Sequence, residues 1–235
     1  MKISRGGFWW LLTALVVAFI SFALLDHHRR QQRAVLAATT ASEPGTGGNF
    51  EVDVAAMDCP TPFADQSPVA QPLQGDGEGL PNAFALAQGA ATPIAPFAVE
   101  GRVLGRKNYD SDRESRFAPT DIAFGWGRMR DPSVIDRLHI TQSSRWYHYS
   151  WTGEPPLPVA EIVRSSANMH MIPANTRIAD ALSDVARNDI VRVDGFLVTV
   201  TDGKGWGWHS STTREDSGAG ACEVVYVCRV RIKSI

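Results

Sequence analysis

The sequence lacks the short motifs that mark several common enzyme classes. It contains no Gly-x-Ser-x-Gly, no His-Glu-x-x-His and no Cys-x-x-Cys, so nothing specific points to a serine hydrolase, a zinc protease or a thiol oxidoreductase. It also has only four lysines beside nineteen arginines. That imbalance suggests a bacterial genome rich in G and C. Because the enzyme motifs are absent, the sequence favours a non-enzymatic protein, and it predicts neither a cofactor nor a metal.

Charged residues are absent from residues 8–25, a run of eighteen residues. At about 1.5 Å per residue, a helix of this length covers roughly 27 Å, enough for the hydrocarbon core of a bilayer. Only Thr13 and Ser21 interrupt it, so it lacks the polar face of a soluble helix. Residues 1–33 are predicted to anchor the chain in a lipid bilayer. A cleaved secretory signal ending near residues 35–37 stays open as the alternative.

Lysine and arginine are both missing from residues 34–93, which hold seven acidic side chains. The basic residues on the two sides of the anchor nearly balance, so this base-free segment favours translocation of everything after the anchor. The prediction is a single-pass protein of the bacterial inner membrane whose C-terminal domain is periplasmic. Residues 34–93 are rich in Ala, Pro and Gly without a period, which predicts a disordered tether. Residues 50–54 alternate and offer an edge strand as the alternative.

Residues 94–235 have the composition of a folded domain. Five of the seven tryptophans lie there, and eighteen basic side chains nearly balance seventeen acidic ones. This length is enough for one well-buried core. The balanced charge gives no support for a broad nucleic-acid surface, so nucleic acid is an unlikely partner.

Alternating and β-branched patterns predict most of this domain to be β-sheet. Helical signals occur only at residues 133–138 and 176–187, where Asp131 and Asn175 are N-cap candidates. The fold predicted is α+β, a small antiparallel β-barrel-like (OB-like) domain with two short helices. The predicted strands lie at residues 97–103, 122–126, 145–151, 190–201 and 222–232.

Three cysteines leave at least one thiol unpaired. Cys222 and Cys228 lie on one predicted strand and are about 20 Å apart, beyond the ~5.5 Å Cα spacing of a disulfide. An oxidising compartment would therefore favour a bridge from Cys59 to Cys222 or to Cys228. Three free thiols are the alternative.

Residues 165–173 read as a strand in which Asn168 and His170 share one face. Met169 and Met171 share the other, so a copper site made from both residue types is disfavoured and core packing of the methionines is expected. Asn168 and His170 are candidates for a site.

Residues 206–222 form a loop rich in hydroxyls and glycines. Ser211 and Arg214 are candidates for binding an anion, although a plain polar hairpin loop explains the same composition. Trp126 and Trp208 are further binding candidates. If His170, His209 and Cys222 converged, a thiol nucleophile with a histidine base would be available.

Three segments carry a resemblance to known proteins: residues 124–127, 166–173 and 210–223. Through them, residues 97–230 resemble a group of uncharacterised bacterial exported or membrane-anchored proteins. The resemblance implies no activity, so it assigns no catalytic or binding residue here.

Three functions follow from the sequence as expectations. The first is a membrane-anchored periplasmic binding or assembly module that is not an enzyme, with an envelope protein or another envelope ligand as its partner. The second is an envelope hydrolase or transferase with a Cys/His site. The third is an OB-type nucleic-acid binder, which the balanced charge disfavours.

Overall fold

The computed structural model describes residues 50–216, 218 and 220–233. Within those residues, no helix has the length and apolar character needed to cross a membrane. The predicted anchor at residues 8–25 and the first part of the predicted tether, residues 34–49, lie outside the described residues. The described chain contains a nine-stranded sheet and a separate two-stranded hairpin.

Strands account for most of the regular structure. The strands are β1 (Val52–Ala55), β2 (Leu73–Gln74), β3 (Phe84–Leu86), β4 (Gly89–Asn108), β5 (Thr120–Gly125), β6 (His139–Ser143), β7 (Trp146–Ser150), β8 (Ser166–Pro173), β9 (Ile190–Thr201), β10 (Gly207–His209) and β11 (Glu223–Lys233). The helices are α1 (Pro132–Ile135), α2 (Val159–Arg164) and α3 (Thr176–Asp184), with 3-10 turns at Glu114–Arg116 and Gly127–Arg130. The prediction of a mostly-β domain with few helices is confirmed. The described residues hold three α-helices where the sequence predicted two, because α2 begins after Pro158 without a capping side chain and gave no N-cap signal.

Five strands are joined by a continuous series of pairings. β4 pairs antiparallel with β5 and with β9, and β5 pairs antiparallel with β8. β11 then pairs with both β8, in parallel, and β9, antiparallel. The short strands lie beside this set: β1 pairs with β11, β10 with β9, and β2 and β3 with β4.

The main core lies between these strands and α3. Alternate residues of the five strands are buried against it, including Phe97, Ile122 and Met169. Helix α3 contributes Ile178 and Leu182, which are four residues apart and therefore on one helical face. The helix begins where the Asn175 side chain accepts a hydrogen bond from the Ile178 backbone N–H at 3.0 Å, as its sequence predicts.

Strand β11 departs from the single alternation that its sequence suggests. Its pairing with β9 shifts register between Val227 and Arg229, so a bulge reverses which residues face the core. Val225, Val227 and Val230 join the main core, while Cys228 packs in a second cluster. The alternation in the sequence predicts one apolar face made of Cys222, Val224, Tyr226, Cys228, Val230 and Ile232. That prediction is wrong, because Val230 and Ile232 lie in the main core and Val224 and Cys228 in the second cluster.

A mid-strand glycine permits a close approach between β9 and β11. A Cβ at Gly195 would collide with the backbone carbonyl oxygen of Tyr226. Glycine is required there because the neighbouring backbone leaves no space for a side chain.

Residues 50–93, assigned from the sequence to the tether, contribute strands to the sheet. They contain β1, β2, β3 and the start of β4. A disulfide joins Cys59 to Cys228 across a Cα separation of 5.3 Å, and Cys222 stays a thiol. Arg229 also forms an ion pair with Asp53. This segment lacks the hydrophobic period of a strand or helix, so the pairing partners that order it were not visible in its own sequence.

Candidate functional site

A buried carboxylate on β5 organises the polar face of the β5–β8 pair. Asp121 is fully buried. It lies directly opposite His170 in the antiparallel register. The His170 Nδ1 lies 2.8 Å from Asp121 Oδ1, Arg145 Nη1 donates to the same oxygen at 2.7 Å, and Asn168 Nδ2 donates to Oδ2 at 3.1 Å. Both carboxylate oxygens are thus engaged, as buried charge requires.

The arginine of this cluster comes from the turn between β6 and β7. Ser144 and Arg145 have φ values of 50° and 69°, a backbone conformation that costs free energy for residues other than glycine. The Arg145 guanidinium makes a two-pronged contact with Asp112 through Nε and Nη2, each at 2.7 Å, and lies 3.9 Å from the Tyr109 ring centroid. Its hydrogen bonds lower the pKa of Asp112. These contacts hold the hairpin turn in place over the sheet.

Asn168 connects the buried cluster to an adjacent pocket. Its Oδ1 accepts a hydrogen bond from Gln142 Nε2 at 2.7 Å, and its Nδ2 also donates to the Arg145 carbonyl at 3.1 Å. The Cys222 thiol interacts with Asn168, and burial raises the pKa of that thiol to about 12. Cys222 is therefore a neutral thiol at physiological pH, which is the opposite of an activated nucleophile.

The pocket lies between the β6–β7 hairpin, α2, β8 and the loop that precedes β11. Its volume is about 140 Å³. One part of its wall is aromatic, and another part carries charged and polar groups. The lining residues are Trp146, Tyr147, Tyr149, Val163, Ser166, Ala167, Asn168, Thr213, Arg214, Asp216, Gly218, Ala221, Cys222 and Glu223.

A second buried carboxylate lines this pocket. Glu223 is 1 % exposed, and its Oε1 accepts a hydrogen bond from Arg214 Nη1 at 2.6 Å. Its Oε2 has no hydrogen-bond partner among the described residues. Burial raises the pKa of Glu223 to about 7, and the charge of Arg214 opposes that shift. One oxygen of this carboxylate therefore has a hydrogen-bond donor, and the other has none among the described residues.

Arg214 is already engaged on several sides. Nη1 also donates to the carbonyl oxygen of Thr213 at 2.8 Å, and Nη2 donates to Gln74 Oε1 at 2.7 Å. Ser211 accepts from the Thr213 backbone N–H at 3.1 Å and donates to Asp216 Oδ2 at 2.6 Å. Both anion-binding candidates thus hold the loop in place, Ser211 through bonds within the loop and Arg214 also through Gln74 on β2 and Glu223 on β11.

The structure brings some of the sequence candidates together and separates others. Asn168 and His170 share the polar face of β8, and the Trp208 ring packs on His170 with 4.6 Å between centroids. His209 follows Trp208 on β10 and so lies on the opposite face of that strand. It is exposed, and its Nδ1 lies 3.1 Å from Thr199 Oγ1. Trp126 is 2 % exposed within the main core.

The chemistry that a Cys/His site needs is not assembled by these positions. No hydrogen bond joins Cys222 to His170 in the described part of the chain, whereas the His170 Nδ1 contacts Asp121. A nucleophile and its base must lie within hydrogen-bond reach. Within the same part of the chain, no three His, Cys, Asp or Glu side chains are grouped to hold a metal ion.

Sequence reasoning missed Asp121, Arg145 and Glu223. Asp121 interrupts an otherwise apolar, fully buried strand, which is the signal that was available for it. The alternation of residues 222–232 predicts Glu223 on the polar face of the strand, opposite the apolar one. Arg145 lies in a turn, and its pairing across 24 residues with Asp121 left no local pattern.

Comparisons of the chain with protein-family models, with curated proteins and with solved structures find no match.

Proposed function

We propose that this protein is a membrane-anchored periplasmic binding module, non-enzymatic, that takes its ligand in the pocket beside Glu223. The domain is proposed to be an OB-like barrel. The pairing order β4-β5-β8-β11-β9, with β9 returning to β4, supports this, as does the position of α3 between β8 and β9. OB domains bind ligands beside their second and third strands and nearby loops, which correspond here to β5, β8 and the loop before β11.

The proposed location rests on the apolar run at residues 8–25 and the base-free segment that follows it. The Cys59–Cys228 disulfide supports it, since disulfides persist in oxidising compartments such as the bacterial periplasm. Protease added to spheroplasts is expected to digest the domain while intact cells protect it. A domain that resists digestion in spheroplasts but is cut after detergent lysis would contradict the placement.

One observation carries the binding function: a pocket of about 140 Å³ that combines three aromatic side chains with a half-satisfied buried carboxylate. Pockets of this kind, mostly apolar with a few placed polar groups, are typical of ligand sites. An unsatisfied buried oxygen costs free energy of folding, about 1–3 kcal/mol. A ligand that donates a hydrogen bond to Glu223 would recover that cost.

The competing functions find less support. For the envelope hydrolase or transferase, the raised pKa of Cys222 and its contact with Asn168 argue against a thiolate nucleophile. For the nucleic-acid binder, Arg214 of the pocket lining and Arg145 of the adjoining cluster already pair with carboxylates. These two side chains are therefore less available to phosphates.

In-cell photocrosslinking from the pocket rim tests the binding function. A benzophenone amino acid replaces Trp146, which is 38 % exposed, and in a control chain it replaces Met57, which is 94 % exposed and does not line the pocket. We expect a discrete adduct from position 146 only. We also expect the substitution Ala221→Trp, which fills the pocket, to abolish that adduct.

Equal adducts from both positions would overturn the proposal. So would an adduct from position 146 that survives the Ala221→Trp substitution. Chains that carry either change are compared at matched abundance, so that loss of the adduct is not loss of protein.

A further inference from the structure

We propose that the pocket beside Glu223 binds the ammonium end of an alkyl amine, the chemistry of a lysine side chain. This inference rests on the proposed binding function and names the class of its ligand. It is carried by three properties of the described residues: an acceptor without a partner, aromatic rings in the wall of the same pocket, and the balance of charges.

The acceptor is Glu223 Oε2. It is buried and has no hydrogen-bond donor within the described residues, while the neighbouring Oε1 is held by Arg214. Because a carboxylate oxygen only accepts hydrogen bonds, it selects a ligand that donates them. A charged N–H donor makes the stronger bond to a carboxylate.

The aromatic part of the wall favours a cation over a neutral donor. Trp146, Tyr147 and Tyr149 line the same pocket as Glu223. The faces of such rings attract ammonium groups, with Trp the most effective. Their carbon surface also suits the methylene chain of an alkyl amine.

The charges lead to the same ligand class. Glu223 and Asp216 are acidic, and Arg214 is the basic residue of the lining, so two acids face one base. The Arg214 nitrogens Nη1 and Nη2 already donate to Glu223, Thr213 and Gln74. An anionic ligand would have to displace those bonds, whereas a cation adds a partner for the unpaired oxygen.

The size of the pocket fits one side chain. Its volume is about 140 Å³, close to the roughly 150 Å³ of a cavity that accommodates benzene. A lysine side chain carries about five non-hydrogen atoms beyond Cα, most of them in an apolar stem. Because Oε2 is sealed from bulk water, binding requires a small rearrangement of the lining side chains.

The experiment measures amine binding to the purified full chain in neutral detergent by ligand-observed NMR titration. The probes are Nα-acetyl-lysine methylamide, its Nε-acetylated form, n-pentylamine and hexanoate. We expect the first to bind at least tenfold more tightly than its Nε-acetylated form and than hexanoate. n-Pentylamine separates the two sources of the chemistry, because tight binding of it shows that the peptide backbone is not needed.

Paired variants identify the oxygen responsible. Glu223→Gln is expected to weaken binding of the lysine probe about tenfold or more, since it removes a charged acceptor. Glu215→Gln, which removes the same charge from an exposed position of the same loop, is expected to change it less than about twofold. If Glu223→Gln fails to fold, Trp146→Ala at the half-exposed rim is expected to weaken binding about threefold.

Equal affinity for the lysine probe and its Nε-acetylated form would overturn the inference, as would equal effects of the two glutamine substitutions. The proposed function is judged separately. If a pocket-dependent adduct forms from position 146 but no amine binds, the binding function stands and the ligand class is wrong. If amines bind the pocket but position 146 gives no adduct in cells, the binding function in the envelope is wrong.

Discussion

Two buried carboxylates lie on neighbouring parts of the same sheet and are treated very differently by their surroundings. Asp121 on β5 receives Arg145 and His170 on one oxygen and Asn168 on the other. Glu223 on β11 receives Arg214 on one oxygen, and its other oxygen has no partner among the described residues. Asn168 lies between them, since it bonds Asp121 and also lines the pocket of Glu223.

The contrast separates support from function. A buried charge with all its partners is a fixed element of the fold. Removing one member of such a cluster leaves another buried charge uncompensated, which strongly destabilises the folded state. A buried charge with a missing partner costs stability for as long as no ligand supplies one. Proteins accept such local inconsistencies mainly at functional sites. We therefore read the Asp121 cluster as the support and the Glu223 pocket as the binding site.

The largest effect is expected where pairing is complete. Asp121→Asn leaves Arg145 facing a neutral amide and changes the partner of His170, so we expect it to lower the free energy of unfolding by about 3–5 kcal/mol. Glu223→Gln is expected to lower it by less than about 1 kcal/mol at pH 7, because the charge that it removes was only half satisfied. Chemical denaturation of the two variants beside the parent chain measures both values.

Asp112→Asn serves as the intermediate control. Its carboxylate also pairs with Arg145 but is about one-third exposed, so solvent screens the loss and we expect about 1 kcal/mol. If Glu223→Gln lowers the free energy of unfolding as much as Asp121→Asn does, the distinction between the two carboxylates is wrong. The residues around Glu223 would then be a second structural cluster.

The features that the sequence predicted depend on local signals, and those that it did not predict depend on contacts between distant residues. The mostly-β class, the positions of β4, β5, β7, β9 and β11, and the N-cap of α3 follow from alternation and capping residues, which are local signals. Asn168 and His170 were selected because they share one face of a strand, and that face does carry the buried cluster.

The remaining features depend on contacts between distant residues. Arg214 was expected to bind an anion, yet the chain supplies that anion itself in Glu223, nine residues away. Glu223 lies on the core-facing register of β11 because of a bulge that no propensity shows. His209 was grouped with His170 by residue type, although its neighbour Trp208 is the side chain that contacts His170.

The cysteines extend the comparison along β11. Cys228 is fully buried and linked to Cys59 over 169 residues, whereas Cys222 is a thiol beside the pocket. We expect Cys59→Ser to lower the free energy of unfolding by about 2–4 kcal/mol, because the bridge closes a long loop in the unfolded chain. Cys222→Ser is expected to lower it by less than about 1 kcal/mol, as it keeps a polar group next to Asn168.

Thermal and chemical denaturation, with and without a reductant, measures both cysteine variants. Reductant is expected to destabilise the parent chain and Cys222→Ser alike, and to leave Cys59→Ser unchanged. Equal destabilisation by Cys59→Ser and Cys222→Ser would mean that the disulfide at Cys228 stabilises the fold no more than the thiol of Cys222 beside the pocket does.

The two carboxylates are also distinguished by the pH dependence that the unpaired one gives to stability. Burial raises the pKa of Glu223 from 4.5 to about 7 in the folded chain, so the folded state binds more protons than the unfolded state between those values. Stability contributed by the protonated form is therefore present below about pH 4.5 and is lost as the pH rises through 7. One pKa unit corresponds to about 1.4 kcal/mol, so the shift from 4.5 to about 7 makes the loss about 3 kcal/mol.

The charged groups beside Glu223 are Arg214, which opposes the shift, and Asp216, which adds to it. Glu223→Gln removes the titrating group and keeps the shape, so the stability of the parent chain minus that of the variant should fall steadily from pH 4.5 to 7.5. Denaturation midpoints of the parent chain and of Glu223→Gln at matched pH values measure this difference. A Glu223 difference that is flat, or that rises with pH, would mean that this carboxylate is as well satisfied as Asp121 and that the pocket holds no unpaired acceptor for an amine.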